Sequence, residues 1–168
     1  MIVNHTNKIT IYTDGACSDN PGPGGWAAVF NEANECVTIS DYDISTTNNR
    51  MELMAVIKSY ERIINEYDRN YIFELYTDSA YVANAIKQDW IYKWKKNCWK
   101  TSKGDMVKNK DLWETFIELN NNIKALGITV FIIKIKGHSG HVFNEMVDKI
   151  AKEQSIKAKK EITNNGRQ

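Results

Sequence analysis

Three cysteines, Cys17, Cys36 and Cys98, are too few, odd in number and too far apart for a disulfide framework or a Cys-x-x-Cys metal site. No apolar run approaches the roughly 20 residues of a membrane span, and no basic stretch followed by an apolar core opens the chain as a secretory leader would. Neither sign of charge dominates, since 22 Lys and Arg stand against 21 Asp and Glu for a net +1. Linkers, low-complexity tracts and structural repeats are missing too. These absences leave a cytoplasmic protein of one domain as the expectation, long enough to bury roughly 70% of the surface its unfolded chain exposes.

The charge is unevenly placed. Residues 87–110 carry eight lysines against Asp89 and Asp105, a net +6 that leaves −5 for the rest of the chain. Trp90, Trp94 and Trp99 lie among these lysines. Basic side chains interleaved with aromatics are the composition of a surface that meets nucleic acid.

Tyr-Thr-Asp occurs twice, at Tyr12-Thr13-Asp14 and Tyr76-Thr77-Asp78, each time closing a short apolar-rich run. Lys8 to Asp14 alternates as a strand, and Tyr71 to Thr77 reads as another. Between them, the breaker cluster Asn20 to Gly25 predicts a turn, and Trp26 to Phe30 and Cys36 to Ile44 predict two further strands of an antiparallel meander. Ile128 to Ile135 is a near-continuous β-branched run, the pattern of a strand buried on both faces.

Helical spacing appears in three places. Leu53, Val56, Ile57, Tyr60 and Ile64 form the stripe of a long helix with Thr46 or Thr47 as N-cap. Leu112, Phe116, Leu119 and Ile123 form a second that ends before Gly127, a residue suited to a helix C-cap. Phe143, Met146, Val147, Ile150 and Ala151 form a third, and a short helix is expected from Ser79 to about Lys87. The result is an α/β fold, with a domain over 1–157, a basic handle at about 87–110, and a polar, flexible tail over 158–168.

In open α/β sheets ligands gather at the carboxyl ends of the strands, so Asp14 and Asp78 are expected to converge there. Glu52 flanks the buried stripe of the first long helix, and Asp148 lies outside the apolar set of the last. Alone, each acid reads as a turn former or a solvated helix face. Together around one cleft they would repel one another unless neutralised, and all-oxygen ligands select Mg²⁺ or Mn²⁺. Two such ions about 4 Å apart serve in-line phosphodiester hydrolysis.

Thr13-Asp14-Gly15, Asn20-Pro21-Gly22-Pro23-Gly24-Gly25-Trp26, Thr47-Asn48-Asn49-Arg50-Met51-Glu52, Thr77-Asp78-Ser79 and Lys136-Gly137-His138-Ser139-Gly140-His141 follow one another in the order seen in bacterial-type ribonuclease H, type 1. The chain resembles that family from about Ile9 to Ala151. The resemblance implies a ribonuclease H-like five-stranded mixed sheet flanked by helices. It also implies cleavage of the RNA strand of an RNA/DNA hybrid by two Mg²⁺ ions, with Mn²⁺ as a substitute, leaving 5′-phosphate and 3′-hydroxyl ends.

By the same resemblance, Asp14, Glu52, Asp78 and Asp148 are the metal-binding acids, and His138 is a catalytic histidine in a mobile loop between Gly137 and Gly140. Thr47 and Asn109 fall in a DNA-phosphate pocket, with Ser102, Trp90 and Trp94 along the DNA channel. Cys17, Asn20, Asn48 and Asn49 fall along the minor groove, where the 2′-hydroxyl distinguishes RNA from DNA. Trp99 and Trp113 are expected in the core, and His141 in a structural role. His5 is expected in a disordered terminus.

Family members often carry a longer Gln or Met after Thr-Asp-Ser, where this chain has Ala80, which implies modestly weaker substrate binding. A non-catalytic hybrid or double-stranded RNA binding module would have no reason to keep four acids and His138. A related superfamily nuclease would lack the combination of glycine-rich turn, handle and Lys-Gly-His-Ser-Gly-His. A viral reverse-transcriptase fragment is disfavoured by the handle and by termini that read as those of a stand-alone protein. With no extra interaction segment, a monomer is expected.

Overall fold

Alternation along the strands decides the layers. In β1 (Asn7–Cys17), Ile9 and Ile11 join one apolar cluster and Tyr12 another. In β2 (Gly22–Glu32), Ala28 and Phe30 join the first cluster, and Ala27 and Val29 the second. Successive strand residues point to opposite faces, so this sheet buries both. The computed structural model describes residues 7–33, 35–137 and 140–166.

The sheet has five strands in the order β3-β2-β1-β4-β5, with β3 (Glu35–Thr46), β4 (Tyr71–Thr77) and β5 (Thr129–Lys134). β1, β2 and β3 are antiparallel neighbours, and β4 and β5 run parallel to β1. This is the five-stranded mixed sheet that the resemblance implies, with the antiparallel meander that the strand pattern predicts. On one face, Leu53, Val56, Ile57 and Tyr60 of α1 (Asn48–Glu66) pack with Trp113, Phe116 and Ile117 of α4 (Lys110–Ala125). On the other, Val147 and Ala151 of α5 (Val142–Asn165) lie over Tyr12, Ala27 and Val29. The short α2 (Ala80–Lys87) and α3 (Trp90–Lys96) join the first layer through Val82, Ala85 and Ile91.

Two helix ends follow from their chemistry. Thr47, not Thr46, caps α1: it is extended and its hydroxyl accepts from the Arg50 N–H at 3.3 Å. After α4, Gly127 takes φ +71°, its N–H reaches the Lys124 carbonyl, and the Ile128 N–H reaches the Ile123 carbonyl. That paired bonding is a Schellman motif, which favours glycine at this position.

Four differences from the sequence reading have physical causes. Gly22 to Gly25 belongs to β2 itself, and the turn is confined to residues 18–21. A Cβ on Gly25 would stand 2.4 Å from Gln154 Cβ and 2.6 Å from the Ala151 carbonyl, so the missing side chain lets α5 lie on the strand. β5 is an edge strand with one neighbour, and Phe131 is 53% exposed; its apolar run is therefore not buried on both faces.

The buried stripe of α5 is Asn144, Val147, Ala151, Ser155 and Ala158, which leaves Met146 largely outside. Finally, α5 continues to Asn165 rather than giving way to a polar tail, with Ala158 buried and Tyr42 of β3 hydrogen-bonded to Glu161. Among the described residues no helix is long and apolar enough to cross a membrane.

Candidate active site

The two Tyr-Thr-Asp copies lie side by side. Tyr12 pairs with Tyr76 and Thr13 with Thr77 across the parallel β1–β4 ladder. Because the register is in step, the next residue of each copy, Asp14 and Asp78, emerges at the same end of the sheet. Thr77 is the last residue of β4 and its hydroxyl accepts from the Ser79 N–H. Ser79 in turn caps α2 by accepting from the Val82 N–H, so the chain turns away directly after Asp78.

Gly15 brings in the third acid. A Cβ there would stand 2.3 Å from the Glu52 nitrogen and 2.5 Å from the Met51 carbonyl carbon. With only hydrogen at that point, the first turn of α1 rests on β1 and places Glu52 beside Asp14. Asp14, Glu52 and Asp78 each offer one carboxylate oxygen, and the three oxygens lie within 4.8 Å of one another.

Such proximity is costly without a counter-charge. Asp14 is buried, and its carboxyl is pushed up to about 7, first by desolvation and then by the Asp78 charge. The Gly15 N–H donates to Asp14 Oδ1 at 2.8 Å and offsets part of this. Burial, followed by the charges of Asp14 and Asp78, pushes the Glu52 carboxyl well above the ordinary range. Glu52 Oε2 is buried without a hydrogen-bond partner. A buried acceptor left unpaired beside two further carboxylates fits a divalent cation, and an all-oxygen set fits a hard one.

Asp148 stands apart from the three. It projects from α5, close enough for its charge to raise Asp14 further, but its Oδ2 accepts from Lys152 Nζ at 2.7 Å. His138 lies outside the described residues. The segment that leads to it leaves the sheet beside the cluster: the Ile135 N–H bonds the Thr77 carbonyl, and a Cβ on Gly137 would stand 2.9 Å from Asp78 Oδ2. His141 is the N-cap residue of α5, its carbonyl accepting from the Glu145 N–H, with no side-chain cap bond.

Two of the residues expected along the minor groove, Cys17 and Asn48, lie at the same end. Gly15, Cys17, Asn48, Asp148 and Lys152 line one depression. Asn20 Oδ1 accepts from the Asn48 N–H, tying the β1–β2 turn to the start of α1, while Asn49 is exposed on the next residue. Burial pushes the Cys17 thiol up, and it donates to backbone carbonyls including that of Asp19. That keeps it protonated and unsuited to nucleophilic attack.

On the handle, Trp90, Trp94 and Ser102 line a second groove, in which the two indoles lie 6.1 Å apart and Trp94 also meets the buried Trp113. Both indoles are partly buried against the core. Trp99 and Trp113 are buried, as their positions led us to expect.

Two residues had no role in the sequence reading. Arg50 forks onto Asp111 with bonds of 2.9 and 2.8 Å and also reaches Asn109 Oδ1 at 3.3 Å. It thereby joins the turn of Thr47 to the handle, beside which Asn109 takes φ +60° and donates to Tyr81. Arg50 stood within a quoted motif, but its partners lie about 60 residues away and left no local signal. Lys152 was detectable, since it follows Asp148 by four residues on a helix.

The RNase H family model matches residues 6–156. A curated Ribonuclease H of Acetivibrio thermocellus is 43% identical over 153 residues, which cover 91% of this chain and 98% of that protein. LC9-RNase H1, described as a type 1 RNase H with the type 2 active-site motif, superposes with a TM-score of 0.74 at 27% identity, covering 89% of this chain and 72% of its own. LC11-RNase H1, solved in complex with RNA/DNA hybrid, shares the fold at a TM-score of 0.65 and 23% identity, covering 89% of this chain and 98% of its own.

Proposed function

The chain belongs to the RNase H family, in its bacterial type-1 form, and from that premise we propose that it cuts the RNA strand of RNA/DNA hybrids at the Asp14, Glu52 and Asp78 cluster. The observation that carries the reading is the convergence of these three carboxylates within 4.8 Å, with Glu52 Oε2 buried and unpartnered. A module that only bound nucleic acid would gain nothing from burying like charges together, because they repel the phosphates it must approach.

We infer that Asp14, Glu52, Asp78 and Asp148 hold two Mg²⁺ ions, for which Mn²⁺ is a substitute. Bound there, the ions would supply an activated water and stabilise the leaving oxygen of an in-line attack. The residues of the chain do the rest. Asp14 and Asp78 are fixed by neighbouring strands and Glu52 by the first turn of α1, so the site needs little reorganisation to accept a cation. Gly15, by lacking a side chain, lets α1 rest on β1 and so holds Glu52 beside Asp14. His138, on the loop that starts against Asp78, serves proton transfer or product release, and the products carry 5′-phosphate and 3′-hydroxyl ends.

Binding follows from the two grooves. Cys17, Asn20, Asn48 and Asn49 meet the minor groove, where short polar side chains reach the 2′-hydroxyls. Thr47 and Asn109 take a DNA phosphate, with Arg50 holding Asn109 in place. Trp90, Trp94 and Ser102, among the handle lysines, receive the DNA strand. Its three free cysteines suit a reducing compartment, and we take the protein to be a cytoplasmic monomer.

The test is to incubate the protein with labelled RNA/DNA hybrid, duplex DNA and duplex RNA, with Mg²⁺ or with EDTA. Cleavage confined to the RNA strand of the hybrid and lost in EDTA is expected. Metal-independent cleavage, or a preference for duplex DNA, would overturn the assignment.

A further inference from the structure

Asp148 is already occupied. Lys152 lies one helical turn beyond it on α5, and its ammonium donates to Asp148 Oδ2 at 2.7 Å. The order of the pair, acid before base at i and i+4, is the favourable one on a helix. Both side chains line the depression that also holds Gly15, next to Asp14.

We propose that Lys152 is a tethered competitor for Asp148, which a divalent cation must displace before that carboxylate can serve as its ligand. The inference rests on the metal-dependent reading of the Asp14, Glu52 and Asp78 cluster. Asp148 lies outside the three-carboxylate cluster and is held by an internal cation on its own helix. The part of the site that uses Asp148 therefore fills at a cation concentration set by how tightly Lys152 holds on.

The pair is partly exposed, with side-chain exposures of 57% for Lys152 and 29% for Asp148, so displacement is within reach of an ion at ordinary concentrations. Once displaced, the ammonium remains on the wall of the groove, on a flexible four-carbon stem. Lys152 is a positioning residue, acting through Asp148.

The experiment titrates Mn²⁺ calorimetrically into the full-length protein without substrate, comparing wild type, Lys152→Met, Asp148→Asn and the double variant. Lys152→Met is expected to tighten the Asp148-dependent isotherm by roughly two- to fivefold, the range an exposed ion pair is worth. In the Asp148→Asn background the same substitution is expected to change little, because there is no carboxylate left to release. Lys152→Arg, which keeps a partner for Asp148, is expected to stay near wild type.

An equal gain with and without Asp148 would mean a general charge effect and overturn the proposal, as would an unchanged isotherm in Lys152→Met. If wild type bound Mn²⁺ and cleaved hybrid while Lys152→Met matched it, this inference alone would fall. If wild type bound no Mn²⁺ and cleaved nothing, the metal-dependent reading would fall with it.

Discussion

The rings of Tyr12 and Tyr76 stack 4.9 Å apart and only 13° from parallel, on neighbouring strands that run in the same direction. The stack is the visible sign of a register: with these tyrosines opposite each other, the aspartates two residues later cannot be out of step. A slip of one residue would move one of the two acids to the opposite face. The doubled tripeptide is thus a device for setting two carboxylates side by side.

Removing one of those charges should separate stability from catalysis. Asp78 is the second largest cause of the raised Asp14 carboxyl, after burial. Asp78→Asn should bring Asp14 back toward the ordinary carboxylate range, stabilise the metal-free protein by about 1 kcal/mol through lost repulsion, and lower hybrid cleavage by at least about a thousandfold. Urea denaturation in EDTA and a single-turnover cleavage assay would check the two halves. A near-normal rate would mean that Asp78 holds no catalytic ion.

The pH dependence has a definite sign. Below about pH 4 the Asp14 carboxyl is protonated in both the folded and the unfolded chain. Between there and about pH 7 the unfolded chain has released that proton while the folded one retains it. The metal-free protein should therefore lose stability through this group as pH rises from about 4 to about 7, with no further loss from it above. Saturating Mg²⁺ should remove the slope and release protons on binding, more at pH 6 than at pH 8. Melting curves in EDTA and Mg²⁺, with calorimetry in two buffers of different ionisation enthalpy, would show it.

How much of this could be read from the sequence depends on the range of the interaction. The strands of the meander, the α1 stripe and the Gly127 cap rest on periodicity and local turn chemistry, and those rules found them, although the glycines taken for a turn extend the start of β2. The three-acid cluster was legible because the doubled tripeptide and the Glu52 motif are local signals that converge through a common topology. The edge position of β5 was not, since a β-branched run looks the same whether one neighbour pairs with it or two. Nor was the length of α5: its buried side is made of Asn144, Ala151, Ser155 and Ala158, small or polar residues that hydrophobic periodicity passes over. The Arg50 fork likewise depends on partners far away in the chain.

Gly15 gives a test of the packing that carries Glu52 to the site. In Gly15→Ala the added carbon would meet the Glu52 nitrogen at 2.3 Å and backbone cannot yield cheaply. A loss of about 2 kcal/mol in stability is expected, with cleavage reduced by a larger factor than unfolding explains, because Glu52 moves off Asp14. Unchanged activity in a destabilised but folded variant would detach the Glu52 position from this contact.

Ala80 is exposed at the start of α2, two residues past Asp78. Ala80→Gln restores a side chain long enough to reach the minor groove, so KM for the hybrid should fall by about two- to threefold, an effect of one neutral hydrogen bond at a wet interface. kcat and the melting temperature should not change. Steady-state kinetics on a single hybrid would decide it, and an unaltered KM would show that this position does not touch the substrate.

Arg50 links the N-cap residues of two helices, the pair proposed above to take one DNA phosphate. Thr47 caps α1 three residues before it, and its guanidinium bonds both Asn109 and Asp111 at the start of α4. The fork onto Asp111 uses two parallel N–H groups, a geometry that an ammonium cannot reproduce. Arg50→Ala should raise KM about tenfold with a smaller change in kcat, because Asn109 loses its orientation while the acids stay in place. Arg50→Lys keeps the charge and loses the fork, so it should fall near Arg50→Ala if Arg50 acts by positioning Asn109. If instead the guanidinium acts mainly as a positive charge toward phosphate, the lysine should restore most of the affinity, and the salt dependence of KM should follow charge and not shape. Measuring KM for the three proteins at two salt concentrations therefore distinguishes a clamp from a charge.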